Sequence, residues 1–248
     1  MLVVFAFAEG EKEKELTEEQ KLIIKKGTEL LNSVDKNLAP PSYESYRKII
    51  NIEPNGFKKE FVMYSVKKGR DKMALAFLEP KSEVGRVTLR VDENMWLYIP
   101  NVGKPIRITS LQSVTGGLFN NSDIMSLDYG EEYNVEDMEE TEKETILILR
   151  AKTKAIAYDK LKMWVDKKDK LPTKIECYSA SDMLIKTLEF KDIKEFEKGL
   201  KRPSVTETYS PLHKGYKSIM IFAKMKKREL EDEVFTVDYM PKVPDLRK

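Results

Sequence analysis

Nucleophilic and metal chemistry need cysteine, histidine and carboxylates in close register, and this chain is short of the first two. It holds one Cys and one His in 248 residues. Cys177 alone closes no intrachain disulfide, forms no CxxC redox pair and supplies no multi-cysteine zinc site. His213 sits in the polar loop Ser210-Pro211-Leu212-His213-Lys214-Gly215, where a surface position suits it better than a triad or a metal centre. The acidic pairs Glu131-Glu132 and Glu139-Glu140 lie in charge-rich turns with no apolar setting to raise a carboxyl pKa. A solvated face explains them better than general acid-base catalysis. The 11 glycines spell neither GxGxxG nor a Walker A loop, so no phosphate cradle is visible. No enzyme activity, no cofactor and no metal is expected.

Charge narrows the partners further. Lys and Arg total 44 against 42 Asp and Glu, a net charge of +2, so no large single-sign field is expected to attract nucleic acid or an anionic membrane. No apolar run approaches the roughly 20 residues needed to span a bilayer. The opening stretch Leu2 to Ala8, closing on Ala6-Phe7-Ala8, fits the small-x-small pattern of a signal-peptidase site although a basic start is missing. Residues 1–8 are therefore expected to be a processed segment and 9–248 one domain of an exported, soluble protein. No acylatable Cys follows the cleavage pattern, so no lipid anchor is expected.

The elements that must position any site begin with one helix. Thr17 followed by Gln20 resembles a capping box, and Ile23, Gly27, Leu30, Leu31, Val34 and Leu38 recur at helical spacing until Pro40-Pro41. The period then changes to two. Strands are expected near 43–52, 57–67, 72–78, 84–92, 95–100, 131–137, 144–151, 158–166, 172–178, 184–195, 203–209 and 216–227. The stretch 109–127, with Gly116-Gly117 and Asn120-Asn121, reads as a loop with short helices that interrupts the sheet.

The segment Gly85 to Pro100 is the most apolar hairpin. Thr88, Arg90 and Asp92 share one face of its first strand and Val87, Leu89 and Val91 the other, which is taken as the inner face. A turn at Glu93-Asn94 pairs Val91 with Trp96 and Leu89 with Tyr98, pointing both aromatics inward. Leu161, Met163 and Val165 show the same alternation, as do Ile219, Ile221, Ala223 and Met225. Periodicity leaves open whether these faces pack solidly or enclose a ligand.

The wording of these strands resembles a family. Asp92-Glu93-Asn94 followed by Trp96-Leu97-Tyr98-Ile99-Pro100 resembles the D-G-x-x-x-W-x-Y-x-P segment of LolA-like, lipoprotein-sorting proteins. Met163-Trp164-Val165-Asp166, Leu171-Pro172 through Glu176, and Lys186 through Asp192 are similar to the family's W-x-D, L-P-x-x-x-E and K-x-x-x-F-x-D hairpins. Gly116 through Ile124 and Phe235 to Met240 also follow its order.

The resemblance implies a mainly β (α+β) fold: a single incomplete antiparallel β-barrel, with an N-terminal helix and short lid helices covering an apolar concave face. It further implies a periplasmic monomer that binds acyl chains of lipids or lipoproteins, loaded by an inner-membrane transporter and passing cargo towards the outer membrane. The expected cavity lining is Leu75, Phe77, Leu89, Val91, Trp96, Tyr98, Leu147, Leu149, Met163, Ile175, Ile219 and Ile221, with methionines making it adaptable. The family's lid-tying Arg precedes a Pro; here the nearest candidate latch is Arg70, followed by Asp71. An envelope-sensing module of the same fold that binds a regulatory membrane protein is the alternative.

Overall fold

The computed structural model describes residues 16–247, so the segment expected to be processed at 1–8 lies outside the described residues. Helix α1 (Glu18–Leu38) begins as its capping box requires: Thr17 Oγ1 accepts from the Gln20 amide at 3.2 Å, and Gln20 Oε1 accepts from the Thr17 amide at 2.9 Å. Leu31 and Val34 bury its inner stripe, and Gly27 lets it touch the sheet, since a Cβ there would stand 2.7 Å from Val135 Cγ1.

Thirteen strands follow in one antiparallel sheet. The first half comprises β1 (Ser42–Ile52), β2 (Lys58–Lys68), β3 (Lys72–Glu79), β4 (Val87–Val91), β5 (Asn94–Tyr98) and the three-residue β6 (Ile106–Ile108). After α2 (Asn121–Ile124) and α3 (Tyr129–Glu132) come β7 (Tyr133–Glu140), β8 (Glu144–Ala151), β9 (Lys160–Asp166), β10 (Pro172–Tyr178), β11 (Leu184–Glu197), β12 (Leu200–Tyr209) and β13 (Lys217–Lys227). Their order across the sheet is 6-5-4-3-2-1-13-12-11-10-9-8-7. The sheet is therefore open, with β6 at one edge and β7 at the other, the expected half-barrel. Because residues 109–132 join those two edges, they must cross the open face, and this topology makes them a lid.

Each face of the sheet buries its own apolar cluster. On the concave side, Ile49, Phe61, Met63, Leu75, Phe77, Leu147, Leu149 and Met163 pack with Leu31 and Val34 of α1 and with Phe119, Ile124 and Met125 of the lid. On the convex side, the chain after β13 returns as two 3-10 turns, Asp232–Phe235 and Met240–Arg247. Leu230, Val234, Phe235, Met240 and Val243 lie there against Tyr64, Val66, Ala74, Ala76, Val87 and Leu89. The Arg228 guanidinium ties this strap down, donating to the Leu246 carbonyl at 2.6 Å and the Tyr64 hydroxyl at 2.8 Å.

That strap corrects the hairpin assignment. The turn lies at Asp92-Glu93, with Asp92 at φ 51°, so Val91 faces Asn94, Leu89 faces Trp96 and Val87 faces Tyr98. Two residues of register separate this from the expected pairing, so parity survives and all four aromatic and aliphatic residues share one face. That face is the convex one. Leu89 is buried in the cluster beneath the C-terminal strap, which needs an apolar floor, and Val91, Trp96 and Tyr98 pack against that cluster, while Thr88 and Arg90 point into the concavity.

Ile219 and Ile221 are corrected for a different reason. A bulge at Ala223, between the pairs Tyr46 with Lys224 and Arg47 with Phe222, flips side-chain parity along β13. Met225 faces inward as expected, but on the far side of the bulge Met220 and Phe222 are the buried residues. Ile219 and Ile221 are half-buried on the convex side.

Candidate ligand-binding site

Beneath the lid lies a cavity of about 100 Å³, against the 10–15 Å³ or so that one water needs. It is lined from α1 by Leu38, from the lid by Phe119 and Leu127, and from the strands by Leu161, Ile175, Leu188, Phe190, Met220 and Phe222. Of the twelve expected lining residues, Ile175 borders this space. Leu75, Phe77, Leu147, Leu149 and Met163 belong to the same concave cluster but are packed against side chains around it, each fully buried. Much of the concave face is thus solid, and the open space is concentrated towards β9 to β13 and the end of α1.

The lid is held by polar groups that emerge from the apolar face. Arg47, on the same parity as Ile49, donates from Nη1 to the Ile124 carbonyl at 2.8 Å and from Nη2 to Ser65 Oγ at 2.9 Å. Arg90 donates to the Met125 carbonyl at 3.1 Å and pairs with Glu132. Lys67 pairs with Asp128, and Lys186 with Asp123 at 2.6 Å, both side chains of the latter pair being 5% exposed. Asn120 caps α2 by accepting from the Asp123 amide at 3.1 Å, and the Tyr158 hydroxyl donates to Asp123 Oδ1 at 3.0 Å. At the lid's start, Gly117 presses on Asn51, whose Nδ2 donates to the Thr115 carbonyl at 3.1 Å.

Arg70, the expected latch, stands in the β2–β3 turn and reaches both roof elements. Its Nε lies 2.8 Å from Glu131 and 3.3 Å from Asp128, and its Nη2 lies 3.9 Å from Asp35 of α1. Half-exposed, it is the outermost of several cationic anchors. The others were not singled out as anchors from sequence: Arg47 and Lys67 alternate in phase with the buried Ile49 and Met63, whereas Arg90 shares its face with Thr88 and carries no such mark.

Burial sets the electrostatics of this layer. Asp35 accepts from the Tyr129 and Gly130 amides at 2.8 and 2.9 Å and so joins α1 to α3. Loss of water raises its carboxyl pKa to about 6 despite those bonds, with Asp128 adding repulsion. Burial also pushes up the phenols of Tyr129, Tyr133 and Tyr158, keeping them neutral. The Cys177 thiol is driven up in the same way, which leaves it protonated and a poor nucleophile. His213 is exposed and packs edge-on against Tyr216 at 6.4 Å, away from the cavity. Among the described residues no His, Cys, Asp and Glu group is placed to hold a metal ion, and no helix is long and apolar enough to cross a membrane.

Comparisons with known proteins agree with this architecture. A LolA superfamily protein from Nitrosomonas europaea superposes with a TM-score of 0.78 at 27% identity, over 86% of this chain and 98% of that one. A putative outer membrane lipoprotein-sorting protein domain from Vibrio parahaemolyticus gives 0.74 at 20% identity, over 88% and 99%. A DUF1329 family protein from Desulfovibrio piger gives 0.74 at 21%, also over 88% and 99%. No curated protein matches the chain. A family model described as "uncharacterized protein" matches residues 69–242. The chain therefore belongs to that family, and it is LolA-like in fold as its strand wording implies.

Proposed function

We propose that this protein is an exported, non-catalytic carrier that shelters the acyl chains of lipids or lipoproteins under its lid and passes them towards an outer membrane. The observation that carries the reading is how the roof is fastened. Strand pairing, which is cooperative, does not hold residues 109–132 over the cavity; the buried side chains of Phe119, Ile124 and Met125 do, together with separate side-chain contacts, chiefly from Arg47, Lys67, Arg70, Arg90 and Lys186. Such contacts break one by one and re-form, so the roof can rise without unravelling the sheet. The present space suits a short segment of chain, and lifting the lid would add the room a full acyl tail requires.

Energetics permit hand-off. Each buried methylene contributes about 0.8 kcal/mol, while association costs something like 4–15 kcal/mol, so net affinity stays moderate. The LolA superfamily relative at 27% identity supports the same assignment. In this reading residues 1–8 are removed on export, 9–248 act as one periplasmic monomer, and an inner-membrane transporter loads it. Mass spectrometry of lipids extracted from gently purified native protein is the test, together with uptake of a fluorescent acyl probe. Co-purifying acyl lipids and saturable uptake are expected; empty protein that takes up no probe at any lid-opening condition would end the carrier reading.

A further inference from the structure

Two arginines of the concave face lack the carboxylate that buried guanidinium groups normally have. Arg202 is 7% exposed and lines the cavity. Its Nη1 donates to the Leu38 carbonyl at 2.7 Å and its Nε to the Pro203 carbonyl at 3.2 Å, while Nη2 has no partner among the described residues. The guanidinium carbon stands 4.0 Å from the centre of the Phe222 ring, and that of Arg47 stands 5.1 Å from the same ring. Arg47, 2% exposed, is bonded only to neutral groups: Ser65, the Ile124 carbonyl and Met73 Sδ.

Two like charges therefore share one aromatic ring in a desolvated interior, an arrangement that is costly without an anion. The acids that border the cavity are committed elsewhere: Asp123 to Lys186, Asp128 to Lys67 and Arg70, Glu132 to Arg90, and Asp35 to the Tyr129 and Gly130 amides. The carbonyl end of α1 at Leu38 offers only a partial charge, roughly half an electron. Tyr43 and Tyr129 line the same space, and their hydroxyls make no hydrogen bond among the described residues.

We propose that the native ligand is a single-chain amphiphile whose headgroup carboxylate seats inside the cavity against Arg202, beside Phe222 and the Tyr43 and Tyr129 hydroxyls. The inference rests on the carrier reading and names the ligand class for that same cavity. The carboxylate accepts from Arg202 Nη2 and a tyrosine hydroxyl, neutralising part of the paired positive charge, while the tail runs along Ile175, Leu188 and Met220 under the lid. Charge-assisted bonds of this kind are the strong ones, and they discriminate against an uncharged ester of equal length.

The test compares cis-parinaric acid with its methyl ester on the intact protein, by fluorescence titration of wild type, Arg202→Met and Arg202→Lys, with melting curves to confirm folding. Wild type should prefer the acid by on the order of tenfold or more, Arg202→Met should erase the preference while keeping ester affinity, and Arg202→Lys should restore part of it. A second measurement needs no variant: the carbon-13 signal of carboxyl-labelled palmitate should titrate at lower pH in the complex than in free micelles. Equal binding of acid and ester by wild type, or an unshifted carboxyl titration, overturns the headgroup assignment and leaves the carrier reading intact. A preference that survives in folded Arg202→Met overturns the role of Arg202. Binding of neither probe overturns both.

Discussion

Asp35 joins the helix to the lid through a carboxyl that burial makes reluctant to ionise, and a pH profile reports on that joint. Its pKa rises from 3.8 to about 6, roughly two units, each worth about 1.4 kcal/mol. The closed state thus binds a proton that the opened or unfolded chain has already lost between those values, and stability falls as pH rises through that window. The contribution is fully present below about pH 4 and lost above about pH 6, a total near 3 kcal/mol. Asp35→Asn removes the titration while keeping one acceptor for the Tyr129 or Gly130 amide. Urea unfolding of both proteins at intervals from pH 3.5 to 7.5 should show wild type losing about 3 kcal/mol relative to the variant as pH rises. Amide protection in residues 121–132, corrected for the intrinsic rise of exchange with pH, should fall over the same range in wild type alone. If pairing with Arg70 and Lys67 outweighed burial, the difference would grow in wild type's favour with pH, and that result would refute the reasoning.

Three further outcomes follow from packing. Gly27→Ala would ordinarily gain about 1 kcal/mol of helix propensity, yet its Cβ meets Val135 at 2.7 Å, so a net loss of about 1–3 kcal/mol in thermal or urea melts is expected; a stabilised variant would contradict the close approach of α1 to β7. Phe235→Ala empties a position in the convex strap and should cost about 3–5 kcal/mol of stability, whereas Trp96→Ala, on the same face, should leave acyl-probe uptake unchanged in protein that still folds; loss of uptake in folded Trp96→Ala would return that side chain to the cavity.

Elements were legible in this sequence because local signals specify them. The Thr17 capping box starts α1 at its observed residue, and period-two alternation finds strands such as 144–151 and 172–178 at their observed ends. Faces were harder. Alternation along β4 separates Leu89 from Arg90 but cannot say which side meets solvent, and the usual rule that charge points outward fails here because the convex side is roofed by the C-terminal strap. The bulge at Ala223 leaves no compositional mark, so parity read back from Met225 misplaces Ile219 and Ile221. Candidate-site residues divide in the same way: of the apolar ones expected, Ile175 borders the cavity and Leu147 packs in the cluster around it, while Arg202 and Arg47 look like surface cations until the structure buries them on the concave side.

An open sheet also has a problem of self-recognition, and its two rims answer it. An unpaired strand is a template on which another molecule's strand can grow. The rim at β6 is three residues long, too short to nucleate such growth. The rim at β7 carries Glu136, Asp137, Glu139 and Glu140 with a bulge at Glu136, so an identical strand approaching it would bring like charges opposite one another along an irregular backbone. The barrel can therefore leave its seam unclosed, and keep the freedom of its lid, without offering that seam to a neighbouring copy.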